Sequence, residues 1–263
     1  LITFDQWRGD WADPKSPVVN LPGLRELSRR SVVARRCYTS SPQCVPARMS
    51  WLSGLAPSQL GVTRNTRAEA PEDSPSLFRI LQKQGWHTEL IGKTHWTNHR
   101  NPGDLRHTRA KIKALGFNQV LEIAGPKALR HLRCELTDAW EQEGLMDAYI
   151  EDMRQRYGPA QGNQAWTVRP SILPNALYPD LWLTERALEA LKRMPAQQPW
   201  LLWVSFVGPH EPFDTPAPWN EAAPKQLKDP TPQGEWISKL PSNCELHQSL
   251  RRWNGKLNLK DVQ

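Results

Sequence analysis

The sequence predicts an α/β fold in which a sheet is flanked by helices on both faces. Segments typical of strands alternate with segments typical of helices, which is the order found where helical crossovers join parallel strands. Trp200–Val207 is apolar on both faces, so this strand is buried on both sides and belongs in the centre of the sheet. Polar residues follow several strand segments, as expected where ligands collect at the carboxyl ends of strands.

Composition narrows the class of protein. The chain has 263 residues, of which 38% are apolar, so it can bury a core and general disorder is excluded. It has no apolar run of about 18 residues, so no membrane span is expected. Four cysteines are too few for a disulfide framework. The net charge of +7 comes from scattered basic residues. This excludes a nucleic-acid stripe and leaves either a solvated basic surface or a site for a small anion.

Two strands and two helices are predicted in the first part of the chain. Leu1–Phe4 is apolar and is followed by Asp5, which is typical of a parallel strand that delivers a polar residue at its end. Pro22–Arg30 predicts a helix with proline near its first turn, and Val32–Tyr38 predicts a second strand. Cys44–Leu55 predicts a helix whose proline is tolerated in the first turn.

The same alternation continues along the chain. Ser74–Gln84 predicts a helix that its first serine caps, and His87–Ile91 predicts a strand. Residues from about 98 to 175 predict an excursion away from the core, which includes a helix at Leu136–Tyr157. Pro179–Met194 predicts the helix that precedes the central strand, and no strand is predicted beyond that strand.

Polar side chains follow three strands, and the topology brings these strand ends to one edge of the sheet. The residues concerned are Asp5 and Gln6, then Lys93, Thr94 and His95, and finally His210. A carboxylate beside an amide suits a hard divalent cation, although a turn-forming aspartate beside a surface glutamine has the same pattern. The convergence of acid, amide, cation and imidazole indicates an active site at this edge.

Cys44 lies at the start of a predicted helix, where unpaired amide groups favour an anion or a nucleophile. Arg48 follows four residues later and returns to the same helix face, so it can hold the same anion. The alternative is a buried structural cysteine beside a surface arginine. A thiol-dependent phosphatase loop is disfavoured, because such loops have a longer, glycine-rich spacing between cysteine and arginine.

Four motifs together resemble the type I sulfatases of the alkaline phosphatase superfamily. The motifs are Phe4-Asp5-Gln6-Trp7-Arg8-Gly9-Asp10, Cys44-x-Pro46-x-Arg48 followed by Trp51-Leu52-Ser53-Gly54, Gly92-Lys93-Thr94-His95-Trp96 and Pro209-His210-Glu211-Pro212-Phe213. They occur in the family's order, which is more specific than any one motif alone. The resemblance implies an alkaline phosphatase-like mixed sheet flanked by helices on both faces.

The resemblance also implies a covalent mechanism. Cys44 is converted to formylglycine by a formylglycine-generating enzyme, and one hydroxyl of its hydrate attacks the sulfur of a sulfate ester. The second hydroxyl then loses its proton, and sulfate leaves as the aldehyde re-forms. Asp5, Gln6 and residue 44 bind a divalent cation, Ca²⁺ most often, with Mg²⁺ or Mn²⁺ as alternatives. The substrate is a small-molecule or carbohydrate sulfate ester.

The remaining motif residues receive roles by the same resemblance. Arg48 orients the diol, Lys93 neutralises a sulfate oxygen, and His95 hydrogen-bonds the diol. His210 contacts the sulfate ester and assists the leaving group. Substrate contacts of the phosphonate and phosphate monoester hydrolases of the same group correspond to Asn65 and Thr94.

Three departures from the family pattern qualify these expectations. Ala47 replaces a common serine, and Gln6 stands where many sulfatases have aspartate, which resembles the bacterial sulfatase and phosphonate-hydrolase branch. A later Asp-His or Asp-Asn metal pair is not found after His210. We therefore expect residues 1–263 to be the N-terminal part of a sulfatase catalytic domain, without the half that carries the later metal ligands. Alone, this part is expected to fold poorly and to be inactive.

Three functions remain open at this point. The first is hydrolysis of organic sulfate esters. The second is hydrolysis of phosphonate or phosphate esters with the same formylglycine and metal. The third is an inactive fragment or pseudoenzyme that only binds anions. The sequence does not decide between a cytoplasmic and a periplasmic location, because no leader can be recognised at its start.

Overall fold

A parallel sheet with helices on both faces forms the centre of the molecule. The computed structural model describes residues 1–12, 20–65, 69–71, 73–98, 102–157 and 169–222. The region beyond residue 222, in which no strand was predicted, lies outside the described residues. Among the helices that are described, none is long and apolar enough to cross a bilayer.

Strands and helices alternate along the chain, as the sequence predicts. The strands are β1 (Ile2–Thr3), β2 (His87–Gly92), β3 (Gly103–Asp104), β4 (Gln119–Glu122), β5 (Leu132–Arg133) and β6 (Trp200–Ser205). The α-helices are α1 (Gly9–Ala12), α2 (Pro22–Arg29), α3 (Cys44–Ser53), α4 (Pro57–Leu60), α5 (Leu77–Lys83), α6 (Arg109–Ala114), α7 (Pro126–Leu129), α8 (Glu135–Gln142), α9 (Met146–Tyr157) and α10 (Pro179–Arg193). Short 3₁₀ turns span Leu105–Thr108, Asn175–Leu177 and Trp219–Ala222.

The main sheet has the strand order β1-β6-β2-β4, and all of its described pairings are parallel. Strand β6 lies between β1 and β2, which confirms the prediction of a central strand. In the register of the sheet, Ile2 lies opposite Val204, and His87 lies opposite Trp200. Because every pairing is parallel, the carboxyl ends of the strands share one edge.

Alternate side chains of the central strands pack into two separate cores. Leu202 and Val204 of β6 belong to a core that also contains residues of α8, α9 and α10. Trp203, which points to the other face, packs in a core with residues of α3, α5 and α6. The period of two along a strand thus divides the apolar run between two helical layers. The predicted fold class is confirmed.

The prediction of a strand at Val32–Tyr38 is wrong. These residues follow α2 as an irregular segment, and the side chain of Val32 is 98% exposed. A strand needs a hydrogen-bonded neighbour and a face to bury, and this segment has no strand pairing within the described part of the chain. The apolar pattern was therefore insufficient to form a strand.

Two helix predictions are corrected in detail. The predicted helix Leu136–Tyr157 is two helices, α8 and α9, because Gly144 between them has φ of 67° and interrupts the helical backbone. Helix α5 and its cap begin two residues later than predicted. The helix is capped by Ser76, whose hydroxyl accepts the N–H of Arg79 at 3.3 Å, and not by Ser74.

The predicted excursion over about 98–175 contributes to the core. Strand β4 lies within this range and pairs with β2 in the main sheet. Leu129 and Trp140 are fully buried in the core beside α10. The polar composition that suggested an excursion belongs to the loops and exposed helix faces around these apolar residues.

Gly92 permits the close approach of β2 and β6 directly before Lys93. Its φ is 116°, and a Cβ atom there would lie 1.9 Å from the main-chain oxygen of Ser205. We expect Gly92→Ala to destabilise the protein by about 1–3 kcal/mol more than Gly85→Ala. Gly85 is a matched control, because its φ is 82° but open space surrounds it. Urea unfolding of both variants measures the difference, and equal destabilisation would contradict the clash.

Candidate active site

The ends of β1, β2 and β6 bring three predicted site residues together. Asp5 follows β1, Lys93 follows β2, and His210 lies beyond the end of β6. The ammonium of Lys93 contacts the carboxylate of Asp5. One ligand atom each from Asp5, Cys44 and His210 lie within 4.8 Å of one another. The backbone supports this arrangement, since the N–H of Asp5 donates to the carbonyl oxygen of Gly208 at 3.0 Å.

Helix α3 places Cys44 and Arg48 against the strand ends. Cys44 is the first residue of the helix, and its Sγ lies 3.4 Å from Oδ1 of Asp5. The Arg48 side chain is buried, with Nη2 3.6 Å from Oδ2 of Asp5. Its Nη1 donates to the carbonyl of Lys93 at 2.6 Å and to the hydroxyl of Ser205 at 2.8 Å. Arg48 therefore joins α3 to the ends of β2 and β6.

The charges around Asp5 set the ionisation of the site. Burial alone would raise the pKa of Asp5, but the positive charges of Lys93 and Arg48 outweigh it and hold this pKa below its ordinary value. Burial raises the pKa of the Cys44 thiol above its ordinary value; the positive charge of Lys93 opposes this rise, and the carboxylate of Asp5 adds to it. Cys44 is therefore a protonated thiol at neutral pH, which is a poor nucleophile.

The two residues predicted as substrate contacts have oxygen atoms that bond within the protein. Asn65 Oδ1 accepts the N–H of Val45 at 3.0 Å, which satisfies one of the free amide groups at the start of α3. Thr94 is buried, and its hydroxyl donates to a carboxylate oxygen of Glu122. Asn65 thus supports the helix that carries Cys44, and Thr94 joins the ends of β2 and β4.

Gln6 and His95 share an uncommon backbone conformation. Their φ values are 63° and 60°, in the left-handed region that costs residues other than glycine roughly 1–2 kcal/mol. Such strain is found at functional sites, where the surrounding structure holds it in place. Gln6 is exposed beside Asp5, and His95 is half-buried after Lys93. Nδ1 of His210 lies 2.8 Å from the carbonyl oxygen of Glu211.

The donor set can be tested against a divalent cation. The Asp5 carboxylate and the Gln6 amide provide the oxygen ligands that Ca²⁺ and Mg²⁺ prefer. A thiol at position 44 does not suit such a hard cation, whereas an oxygen there would. Ca²⁺ takes six or more oxygens, so these residues fit part of a coordination shell.

Sequence reasoning missed two residues of this site. Ser205 ends the most apolar strand of the chain, and its hydroxyl binds Arg48. Glu122 ends β4 and binds Thr94, although it is only 3% exposed. The signal in the sequence was weak for both, because each is a polar residue with apolar neighbours on either side along the chain.

Removing the cap that Asn65 provides should loosen the start of α3. We expect Asn65→Ala to lower the free energy of unfolding by about 0.5–2 kcal/mol, because the N–H of Val45 loses its partner. Asn65→Asp is the matched control, since its carboxylate retains the acceptor and suits a helix N-terminus. Urea unfolding measures both variants. If the aspartate variant is destabilised as much as the alanine variant, the capping role fails.

The fold belongs to a known class. Phosphonate monoester hydrolase SpPMH from Silicibacter pomeroyi has a similar structure, with a TM-score of 0.55 and 25% identity over 91% of this chain and 44% of that chain. Phosphonate monoester hydrolase of Agrobacterium radiobacter has a TM-score of 0.54 and 23% identity over 84% of this chain and 42% of that one. The architecture is that of the alkaline phosphatase fold.

The sequence comparison gives the family. The profile of the family described as Sulfatase matches residues 1–251, and the chain belongs to this family. An arylsulfatase of Clostridium perfringens is 25% identical over 248 residues, which are 91% of this chain and 48% of the relative. A choline-sulfatase of Rhizobium meliloti is 36% identical over 97 residues, which are 36% of this chain and 19% of the relative. The chain thus spans at most about half the length of these relatives.

Proposed function

We propose that the complete polypeptide carrying these residues hydrolyses organic sulfate esters, with a nucleophile formed from Cys44. The observation that carries the proposal is the position of Cys44 at the start of α3, within reach of Asp5 and beside Arg48, Lys93 and His210. Membership of the sulfatase family supports the reaction class. The substrate class is a small-molecule or carbohydrate sulfate ester.

The environment of Cys44 favours an oxygen nucleophile over the thiol. Burial and Asp5 raise the pKa of the thiol, so little thiolate is available. Conversion of Cys44 to formylglycine by a formylglycine-generating enzyme would replace the thiol with an aldehyde, whose hydrate has two hydroxyl groups. These oxygens also suit a hard cation, which the thiol does not. The modification would therefore provide both a better nucleophile and a better cation ligand than the thiol.

The reaction then proceeds in two balanced steps. One hydroxyl oxygen of residue 44 forms a bond to sulfur, the sulfur–oxygen bond to the alcohol breaks, and the alcohol leaves with a proton. The second hydroxyl loses its proton, the carbon–oxygen double bond re-forms, and the carbon–oxygen bond to sulfate breaks. The aldehyde is regenerated, and its rehydration prepares the next turnover.

The surrounding side chains have distinct tasks in these steps. Asp5, Gln6 and residue 44 would hold the divalent cation, Ca²⁺ or alternatively Mg²⁺ or Mn²⁺, which when bound supplies Lewis-acid polarisation of the sulfate. Lys93 neutralises a sulfate oxygen, and Arg48 orients the diol. The charged groups of Lys93 and Arg48 both lie beside the carboxylate of Asp5.

The two histidines complete the set of polar groups. His95 provides a hydrogen bond to the diol. His210 lies close to Asp5 and Cys44 and is placed to give a proton to the leaving alcohol.

A phosphonate or phosphate ester hydrolase is the second candidate. The similar structures of phosphonate monoester hydrolases support it as much as the first candidate, since they share the fold over most of this chain. Gln6 also lowers the negative charge of the cation site by one relative to aspartate. Parallel assays of the complete polypeptide on an aryl sulfate and an aryl phosphonate separate the two candidates by their kcat/KM values. Binding of sulfate without turnover of either substrate supports the third reading, an anion-binding pseudoenzyme.

The modification is tested by peptide mass spectrometry after co-expression with a formylglycine-generating enzyme. Trypsin cleavage after Arg36 and Arg48 yields Cys37–Arg48, so Cys37 is an internal control in the same peptide. After alkylation, we expect an aldehyde at position 44 and an alkylated Cys37. Two alkylated cysteines, under conditions that convert a known substrate, would contradict the proposed nucleophile.

A further inference from the structure

Asp180 at the start of α10 binds the segment that follows the central strand. Its Oδ1 accepts the N–H of Val207 at 2.9 Å, and its Oδ2 accepts the N–H of Gly208 at 3.0 Å. Both peptide groups lie between β6 and His210. Neither the sequence motifs nor the mechanism proposed above uses this aspartate.

The carboxylate of Asp180 serves this segment and not its own helix. The cap residue of α10 is Tyr178, which makes no side-chain capping bond. Within the helix, the residue contributes its carbonyl oxygen, which accepts the hydroxyl of Thr184 at 2.8 Å. The carboxylate thus bridges two elements that are far apart in sequence.

Gly208 connects Asp180 to the candidate active site through its N–H and its carbonyl oxygen. The N–H of Gly208 donates to Asp180, and the carbonyl oxygen of the same residue accepts the N–H of Asp5 at 3.0 Å. His210 follows two residues later. Asp5 and His210 are two of the three residues whose ligand atoms lie within 4.8 Å of one another. A shift of the Gly208 backbone would therefore change the separation of these two side chains.

A side chain at position 208 would require the Asp180 carboxylate to move. A Cβ atom there would lie 2.2 Å from Oδ2 of Asp180. Burial raises the pKa of Asp180 to about 6, although the N–H groups of Val207 and Gly208 oppose this rise. The carboxylate of Asp180 therefore contacts Gly208 closely, and this contact restricts the conformation of the Val207–Gly208 backbone.

We propose that Asp180 is a positioning residue, whose carboxylate holds the Val207–Gly208 backbone so that Asp5 and His210 face one another across the cation site. The proposal rests on the proposed function for the role of that site. Outer hydrogen-bond partners of this kind change metal affinity by roughly 10- to 100-fold when they are removed.

The test compares four variants of the complete polypeptide. Asp180→Ala removes both acceptors, whereas Asp180→Asn retains one oxygen near the same N–H groups. Gly208→Ala displaces the carboxylate from the opposite side of the contact. Glu185→Gln is the matched control, because Glu185 is an exposed acid on the same helix. Amide hydrogen exchange of the peptides around residues 1–8 and 203–212 is measured without metal, and Ca²⁺ affinity is measured by calorimetry.

We expect exchange in both peptides to rise about 10-fold or more in Asp180→Ala and in Gly208→Ala, and Ca²⁺ affinity to fall by a similar factor. Asp180→Asn should be intermediate, and exchange in α9 should not change. Exchange and affinity within two-fold of the control in the alanine variants would overturn the proposal. Because exchange is measured without metal or substrate, failure of the wild type to hydrolyse sulfate esters would contradict the proposed function alone.

Discussion

Cys44→Ala is expected to reduce hydrolysis of an aryl sulfate by roughly 10⁴-fold or more, the order found when an enzyme loses its nucleophile. Alanine has no group that can be converted to an aldehyde. Residue 44 can then neither form a bond to sulfur nor release sulfate. The Cys44 side chain contacts the carboxylate of Asp5 and is only partly buried, outside the hydrophobic cores. Its loss should therefore leave the fold unchanged. Initial rates and circular dichroism of the complete polypeptide measure both effects.

Cys44→Ser separates attack from release. A serine supplies one hydroxyl group, so it can accept the sulfuryl group but lacks the second hydroxyl that expels sulfate. We expect at most one equivalent of alcohol per enzyme and a mass increase of one SO₃ group on the peptide that contains residue 44. Time courses and peptide mass spectrometry record these outcomes.

The matched control for both variants is Cys37→Ser. Cys37 is an exposed free cysteine in the same tryptic peptide, outside the site. It should retain full activity. If Cys44→Ala retains more than about a tenth of wild-type kcat while Cys37→Ser is unaffected, the nucleophile must be another group, and the proposed covalent mechanism is wrong.

Arg48→Met is expected to cost about 3–5 kcal/mol of stability, in addition to activity. The guanidinium is almost fully buried and joins α3 to the carbonyl of Lys93, the hydroxyl of Ser205 and the carboxylate of Asp5. Methionine fills much of the volume but leaves a buried carbonyl oxygen and hydroxyl without this donor. Urea unfolding of the complete polypeptide measures the loss.

Arg48→Lys should recover little of this loss. One ammonium cannot reproduce the planar fork that directs Nη1 to Lys93 and Ser205 while Nη2 faces Asp5. Arg154→Met is the matched control, because Arg154 is exposed and, among the described residues, forms its ion pair with Glu151 on the same helix. Its unfolding midpoint should equal that of the wild type. A loss below about 1 kcal/mol in Arg48→Met would contradict the role of Arg48 as a buried cross-link.

Local patterns in the sequence determined the parts of the fold that depend on short-range geometry. The helix that begins at Cys44 follows from local composition, and the four-residue spacing brings Arg48 to the same face. The apolar run at Trp200–Val207 identified the central strand. Because parallel strands end at one edge, the polar residues after β1, β2 and β6 were expected near one another, and Asp5 and Lys93 are in contact.

Only the tertiary structure decided which strand segments pair and which buried polar groups meet. Val32–Tyr38 has an apolar pattern but pairs with no strand in the described part of the chain, because strand pairing depends on a neighbouring strand that the pattern cannot specify. Arg48 and Ser205 are 157 residues apart, and their hydrogen bond exists because α3 packs over the end of β6. Asp180 reaches Gly208 for the same reason, since α10 packs beside that strand. Periodicity reports which face of an element is apolar, whereas the partner of a buried polar group depends on how distant elements pack.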